Sequence, residues 1–279
     1  MTLPDTETLN RVLIYWIEER DRVHCLKASD APKPWSNDPI FQTTRFCNVR
    51  REQDKVTIWI KDNWRNPYED HPNLAFAMCL ARVVNWPPTL KHIGFPLVWN
   101  SPTFVHKMDE LQTSGKVWGG AYMVTGGYSA GGESKQVIIG RVLNAAYKNT
   151  VPFPKGIKCE EAFNIIQATP GLGTFLSAQV IADLKYTPLL DTSPDWQTFC
   201  APGPGSIMGL NFLHGRPPTQ SISHKRFIEE VNDVSDWLSY KEIVSLTAHD
   251  TQNCLCEFSK YVRIKYLGGR AKNGYNGTA

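Results

Sequence analysis

A group of side chains suited to phosphate and base chemistry lies between residues 41 and 51, just ahead of a predicted helix. It comprises three arginines, one asparagine and two phenylalanines: Arg45, Arg50, Arg51, Asn48, Phe41 and Phe46. The planar guanidinium group of arginine binds phosphate through two parallel hydrogen bonds, while asparagine and aromatic side chains can read or stack on a base. The pattern is equally typical of a solvated helix start neutralised by Glu52 and Asp54, and the residues alone leave both interpretations open.

Two aspartates further along the chain are candidates for acid–base chemistry. Asp191 follows the apolar run 186–190, and Asp195 stands four residues later, before Trp196. A carboxylate at such a place can act as a general base or orient an attacking group. The spacing does not decide between the two residues, so both are kept as catalytic candidates.

A glycine-containing turn precedes these aspartates. Helical periodicity of apolar residues runs over 159–169 and again over 174–185, and Pro170, Gly171, Leu172, Gly173 and Thr174 lie at the junction. The glycines allow positive φ in the turn and let backbone N–H groups approach a phosphate. These five residues therefore predict a helix-hairpin-helix that binds the DNA backbone without reading its sequence. An ordinary helical hairpin capped by glycine is the alternative.

Two other glycine-rich stretches are candidate binding loops. Gly203, Gly205 and Ser206 precede an apolar helical run, where exposed N–H groups could hold an anion or the loop could simply be a rigid connector. Gly126, Gly127 and Tyr128 belong to a stretch with several Gly-Gly pairs, which predicts a closely approached backbone with a ring that stacks on a base. A plain surface loop is the alternative there. Neither stretch is a P-loop, because G-x-x-x-x-G-K-[ST] is absent.

The bulk properties predict a mainly α-helical globular protein. The 279 residues suffice for one large domain or two intimate ones, and the net charge of +3 confines any nucleic-acid surface to a local patch. We expect a helical lobe over 1–150 that contains the arginines, a helix-hairpin-helix lobe over 151–262 and a basic tail over 263–279. The seven cysteines are expected to be reduced thiols, and neither a metal site nor a membrane span is expected.

The hairpin followed by an aspartate resembles the helix-hairpin-helix DNA glycosylase superfamily. Its bifunctional members carry a nucleophilic lysine just after the hairpin, where this chain has Thr174–Phe175, so strand cleavage by that route is not expected. The motifs R-F-C-N-V-R-R-E-x-D at 45–54 and D-W-x-T-F-x-x-P-G-P-G-S at 195–206 are similar to those of a phage-associated family, the α-glutamyl/putrescinyl thymine pyrophosphorylases, or amino acid:DNA transferases. Ile207–Met208 departs from the basic residue expected in relatives.

The resemblance implies a helix-hairpin-helix DNA glycosylase-like fold with two closely packed helical lobes and a cleft between them. It implies that an amino acid or polyamine replaces the pyrophosphate of 5-(pyrophosphomethyl)-deoxyuridine in double-stranded DNA after base flipping. The implied catalytic residues are Asp195, Asp191, Arg45, Asn48, Arg50, Arg51 and Asp54. Phe46 is an implied substrate contact. The resemblance gives no certain cofactor, Mg²⁺ bound with the pyrophosphate is a candidate, and the expected location is the cytoplasm of an infected bacterial host.

Two other functions remain open from the sequence. A monofunctional helix-hairpin-helix glycosylase would use the same carboxylate to stabilise an oxocarbenium ion or to activate water. A catalytically silent DNA-binding module would need only the hairpin. Chemistry at the base rather than at the sugar follows from the resemblance alone.

Overall fold

The computed structural model describes residues 2–120, 132–270, 275 and 277. These residues form twelve α-helices and no β-strand, so the mainly α prediction is confirmed. The helices are α1 Thr6–Ala28, α2 Pro39–Thr43, α3 Lys55–Ile60, α4 Leu74–Val84, α5 Pro87–Ile93, α6 Ser101–Thr113, α7 Lys135–Thr150, α8 Cys159–Gln167, α9 Thr174–Leu184, α10 Pro204–Leu213, α11 His224–Tyr240 and α12 Ala248–Tyr266. None of these described helices has the length and apolar character needed to cross a membrane.

The chain divides into two compact units that differ from the predicted lobes. The first unit combines residues 1–54 with residues 197–279, and the second consists of residues 55–196. The sequence predicts boundaries at 150 and 262 because composition and turn residues mark only where helices end. They do not show that the carboxy-terminal helices return to pack with α1. Helix α12 also continues to Tyr266, so Arg263 and Lys265 lie on a helix rather than in a tail.

The helix ends follow local capping chemistry. The carboxylate of Asp5 caps α1 by accepting a hydrogen bond of 2.7 Å from the backbone N–H of Thr8. Pro87 and Pro88 occupy the first turn of α5. Proline is well suited to that position because the first N–H groups of a helix have no intrahelical partner.

The second unit is built on a fully buried helix. All eleven residues of α4 are buried, and the side chain of Arg82 points from this helix to α9. Its Nε donates to Oδ2 of Asp183 at 2.6 Å, and its Nη2 donates to the hydroxyl of Thr57 at 2.9 Å. A buried charge is tolerated when it is paired and hydrogen-bonded. Arg82 therefore fixes α9, the second helix of the predicted hairpin, against the core of its own unit.

In the first unit, α10 approaches α12 closely through two glycines one helical turn apart. A Cβ atom added at Gly205 would lie 2.5 Å from Sγ of Cys256, and one added at Gly209 would lie 2.4 Å from the carbonyl oxygen of Leu255. The missing side chains allow the two backbones to come together. This close packing sets the position of α12 within the unit.

The same unit contains a buried carboxylate shared by two arginines. Nη1 of Arg216 donates to Oε1 of Glu230 at 2.7 Å, and Nε of Arg226 donates to the same oxygen at 2.8 Å. Burial by itself would raise the pKa of Glu230, but the hydrogen bonds from Arg216 and Arg226 outweigh it and hold the pKa below 4.5. The ion pair between Arg216 and Glu230 joins the segment after α10 to α11.

We predict that Gly209→Ala lowers the free energy of unfolding by ~1–3 kcal/mol, because the new methyl group meets a backbone carbonyl that no rotamer change can move. The clash outweighs the gain in helix propensity from alanine, which is about 1 kcal/mol. Chemical denaturation measures the difference. Gly120→Ala is the control, since no described atom lies within 4 Å of its Cβ position. Equal stability of the two variants would contradict the close packing of α10 on α12.

The Glu230 cluster predicts a stability loss in acid. Because the folded-state pKa is lower than the unfolded value of 4.5, the stabilisation is fully present above pH 4.5 and is lost as the pH falls through the folded pKa. The free energy of unfolding, obtained from denaturation curves between pH 3 and 7, should decrease toward low pH in the wild type. The slope of this decrease should be smaller in Glu230→Gln. The exposed Glu229 on the same helix provides the control, and Glu229→Gln should keep the wild-type slope.

Candidate nucleic-acid interface

The arginine segment, residues 45–51, lies along α12 in the first unit and is bound to it through its backbone. Five α12 side chains contact successive backbone groups of the segment. Nζ of Lys260 donates to Arg45 O (3.3 Å), Oε2 of Glu257 accepts from Cys47 N (3.1 Å), Nδ2 of Asn253 donates to Asn48 O (3.0 Å), Sγ of Cys254 donates to Val49 O (3.5 Å) and Oδ1 of Asp250 accepts from Arg51 N (2.9 Å). The segment is therefore held in an extended form antiparallel to α12.

This backbone attachment determines which side chains face the solvent. Phe46 and Val49 are buried, whereas Arg45 is exposed and Arg50 is about half exposed. Nη1 of Arg50 lies 3.7 Å from a carboxylate oxygen of Asp21, a distance typical of a loose surface ion pair. Arg45 and Arg50 are thus the guanidinium groups that this segment offers to a ligand.

The side chain of Asn48, in contrast, has hydrogen-bond partners within the protein. The side-chain oxygen of Asn48 accepts a hydrogen bond from Nη2 of Arg20, and its amide nitrogen donates to the carbonyl of Gln53 at 2.7 Å. A short 3₁₀ turn begins at Arg51 and is followed by Asp54. The backbone N–H of Asp54 donates to the Arg51 carbonyl at 3.0 Å. In this structure the Asn48 amide shapes the segment and is not presented to a base.

Phe46, expected to contact the substrate, lies in the core. Only 7% of the residue is exposed, and its ring packs 5.8 Å from Trp16 and 5.0 Å from Phe41, measured between ring centroids. In an extended segment that lies on a helix, side chains alternate between two faces, and Phe46 is on the face directed at the core. The sequence pattern alone did not show this orientation. Phe46 therefore anchors the segment from below and has no free face for a base.

The Pro202–Ser206 loop, expected to bind an anion, is engaged in packing. The Gly203 N–H donates to the hydroxyl of Ser206 at 3.1 Å, and this hydroxyl also accepts from Nε2 of Gln252 at 3.2 Å. Ser206 is buried, and Gly205 adjoins Cys256 as described above. The loop begins α10 and ties it to α12, so the rigid-connector interpretation describes the observed contacts.

A glycine-containing turn separates two helices of the second unit at the place of the predicted hairpin. Helices α8 and α9 are joined by residues 168–173, and the Leu172 N–H donates to the carbonyl of Thr169 at 3.0 Å. Gly171 has φ of +93° and its Cβ position would lie 2.7 Å from a methyl group of Val142, so the turn requires glycine there. Gly173, in contrast, has φ of −73° and caps α9 in an extended conformation.

The amino-terminal end of α9 has the features of an anion-binding helix end. Its capping residue is Gly173, which has no side chain to accept hydrogen bonds from the first N–H groups, and its first turn contains no acidic residue. The first N–H groups of a helix have no intrahelical acceptor and carry the positive end of the helix dipole. Pro170, Gly173 and Phe175 are exposed here, whereas Leu172 is buried beneath the turn. The hairpin tip can therefore receive a phosphate at α9.

The two candidate aspartates have different surroundings in the second unit. Oδ1 and Oδ2 of Asp195 accept hydrogen bonds from the backbone N–H groups of Cys159 at 2.7 Å and Glu160 at 3.0 Å. This carboxylate thus caps α8 from outside the helix, and it also contributes to the raised pKa of the Cys159 thiol, which burial lifts to about 11. Asp191 is exposed in the turn after α9. Asp191 therefore has the carboxylate that is accessible to a substrate.

An aromatic pair in the same turn region was missed by the sequence analysis. The rings of Tyr186 and Trp196 meet edge to face with centroids 5.4 Å apart. The guanidinium carbon of Arg65 lies 5.2 Å from the Tyr186 centroid, and Nζ of Lys185 lies 4.7 Å from the Trp196 ring. Tyrosine and tryptophan ten residues apart in an irregular stretch show no periodicity, so only the fold brings them together.

Gly126, Gly127 and Tyr128 lie outside the described residues. Among the described ones, no group of three or more His, Cys, Asp or Glu side chains is arranged to hold a metal ion. The seven cysteines are free thiols in this structure.

A protein-family model covers nearly the whole chain. The model described as "5-hmdU DNA kinase, helical domain" matches residues 7–268. The chain belongs to this family. The match includes the arginine segment, the hairpin and the aromatic pair. Neither a curated protein nor a solved structure was found to match the chain.

The 5-hmdU DNA kinase helical-domain family is linked to thymidine hypermodification in phage DNA, and it acts on DNA that contains modified thymidine. The general direction of the sequence prediction, toward enzymes of phage thymidine modification, is therefore confirmed. The particular transfer reaction and the relation to helix-hairpin-helix glycosylases remain predictions, as does the approach of the aspartates to the arginines across a cleft.

We predict that Glu257→Ala frees the arginine segment from α12. The substitution leaves the Cys47 N–H without its acceptor and Lys260 without its ionic partner, which should reduce the free energy of unfolding by ~1–3 kcal/mol. Hydrogen exchange of the amides in 45–51 should accelerate more than that of the α4 amides. Asp236→Ala, on the exposed face of α11, is the control and should leave exchange in the segment unchanged. Unchanged exchange in Glu257→Ala would show that Glu257 does not help to hold the segment on α12.

Proposed function

We propose that this chain binds double-stranded DNA containing 5-hydroxymethyl-deoxyuridine or its phosphorylated derivative, and that it holds the modified pyrimidine for reaction at its 5-substituent. The family match over residues 7–268 is the observation that carries the proposal. The chain contains no P-loop motif. We therefore assign its contribution to the DNA substrate of the kinase reaction rather than to the nucleotide.

The hairpin supports the binding part of the proposal. The uncapped, acid-free first turn of α9 offers backbone N–H groups to a phosphate oxygen, which suits contact with any DNA sequence. The pair between Arg82 and Asp183 holds α9 in place within its unit before DNA arrives. A preformed donor set loses little conformational freedom on binding, so more of the interaction energy remains as affinity.

The arginine segment supports binding of a charged group. Five side chains of α12 fix the backbone that carries Arg45 and Arg50. The guanidinium groups can therefore reach only a limited region of space. Guanidinium groups match the geometry of phosphate oxygens through paired hydrogen bonds. The ligand we assign to them is a phosphate, either of the DNA backbone or of the modified 5-substituent.

The second candidate function is the transfer reaction, in which an amino acid or polyamine replaces pyrophosphate at the 5-methylene carbon. The exposure of Asp191 favours it, because the reaction needs a base for the amine. The neutral amine would form the new C–N bond as the C–O bond to pyrophosphate breaks, and Asp191 would take the proton that the nitrogen loses.

Both reactions require the pyrimidine to leave the base stack, because a 5-substituent inside a duplex cannot be surrounded by an active site. Base flipping costs a few kcal/mol, which contacts at the hairpin and around the base must offset. Asp195 is less suited than Asp191 to accept a proton from an amine, since α8 already uses both of its oxygens.

We predict that Thr174→Pro weakens DNA binding about tenfold at fixed salt, which corresponds to ~1.4 kcal/mol. Proline is well tolerated at the first position of a helix, and Gly173, at φ −73° and ψ 175°, already has the backbone that precedes a proline. The fold should therefore persist while one phosphate-facing N–H is lost. Fluorescence anisotropy with a labelled duplex measures the affinity.

Thr174→Ala is the matched control for that experiment. Both substitutions remove the hydrogen bond of 2.8 Å between Nε2 of Gln167 and the Thr174 hydroxyl, but only proline removes the backbone donor. Thr174→Ala should retain nearly full affinity. If the two variants weakened binding equally, the side chain rather than the helix end would be responsible, and the assignment of the phosphate to α9 would be wrong.

The two candidate functions are separated by one set of reactions. Duplex DNA with 5-hydroxymethyl-deoxyuridine and ATP, or with 5-(pyrophosphomethyl)-deoxyuridine and single amines, is incubated with the chain, digested to nucleosides and analysed by mass spectrometry. Specific binding of the modified duplex without turnover supports the substrate-binding role. An amine adduct with released pyrophosphate, abolished in Asp191→Asn, supports the transferase. Free base with an abasic site would instead establish a glycosylase, and no binding to any of these duplexes would overturn the proposal.

A further inference from the structure

The region after α9 contains an exposed ring that is rigidly supported. Tyr186 is 39% exposed, although it contacts Trp196 on one side and the guanidinium group of Arg65 on another. Single exposed aromatic residues are common on proteins. Tyr186 differs because defined neighbours fix its ring.

The support itself is buried and polar. Nε1 of Trp196 donates to the carbonyl of Lys185 at 2.5 Å, and the ammonium group of Lys185 lies 4.7 Å from the Trp196 ring. Arg65 and Lys185 are each only 2% exposed, so two desolvated cations flank the aromatic pair. Cation–π contacts strengthen when the cation is removed from water. The cluster therefore restrains Tyr186 more than packing of two rings would.

Arg65 comes from an unusual piece of backbone. Residues Lys61–Arg65 form a π-helical turn directly after α3, and its last residue is the one that reaches Tyr186. Such turns are rare and often occur at functional sites, because the wider turn re-aims a side chain. Here the turn brings a guanidinium group to the ring.

We propose that Tyr186, supported by Trp196 and Arg65, is the stacking surface for the displaced 5-substituted uracil base. This inference rests on the proposed function and specifies how the same site holds its substrate. Aromatic side chains stack on any base through its π-face, and this stacking offsets the cost of displacing a pyrimidine. The accessible carboxylate of Asp191 lies in the same turn region, five residues after Tyr186.

The proposal predicts a base-dependent loss of affinity. Tyr186→Ala should bind a duplex with one 5-hydroxymethyl-deoxyuridine about tenfold more weakly than the wild type, whereas Tyr186→Phe should bind nearly as well because the ring remains. With an abasic site in place of the modified nucleotide, wild type and Tyr186→Ala should bind equally, since no base is available to stack. Tyr240→Ala, which removes another highly exposed tyrosine (82%), should change neither affinity.

A second readout separates stacking from folding. The emission of 2-aminopurine placed beside the modified nucleotide should rise when the wild type displaces the neighbouring base, and the rise should be smaller with Tyr186→Ala. Thermal unfolding confirms that the variant is folded. Equal loss of affinity for the modified and abasic duplexes would overturn the stacking role while leaving DNA binding intact. Absence of DNA binding by the wild type would refute the proposed function itself.

Discussion

The backbone of the arginine segment is bound by one face of α12, and the first unit depends on this interaction. Asp250, Asn253, Cys254, Glu257 and Lys260 recur at helical spacing and meet the successive polar groups of an extended chain. An extended segment without a neighbouring strand would otherwise leave N–H and C=O groups unsatisfied near the core. The helix thus supplies the hydrogen bonds that a sheet would normally provide.

The position of α12 in turn depends on small residues of α10. Gly205 and Gly209 let the α10 backbone approach Cys256 and Leu255, on the part of α12 that also carries Glu257. In the second unit a charged pair has the corresponding task, since Arg82 and Asp183 fix α9 beneath the hairpin. Close glycine packing in one unit and a buried ion pair in the other thus bring the candidate ligand-binding groups into defined positions.

Local features of the chain were predictable because they depend on neighbouring residues. The two helices on either side of the glycine turn follow from apolar spacing and turn residues, since α8 and α9 end within two residues of the predicted stretches 159–169 and 174–185. The burial of Phe46 and the packing of Ser206 were not predictable, because each depends on α12, some two hundred residues from Phe46 and some forty from Ser206. The Tyr186–Trp196 pair was not predictable for a related reason, since Arg65 reaches Tyr186 from a π-helical turn.

The contacts of α12 to the arginine segment use almost only backbone atoms of the segment. A peptide N–H or C=O is the same whichever side chain its residue carries, so the outward-facing positions 45 and 50 are chemically uncoupled from the attachment. Such an arrangement permits evolutionary drift in ligand preference without loss of architecture. It also makes these two positions suitable for a library of substitutions designed to redirect the protein toward other modified nucleotides.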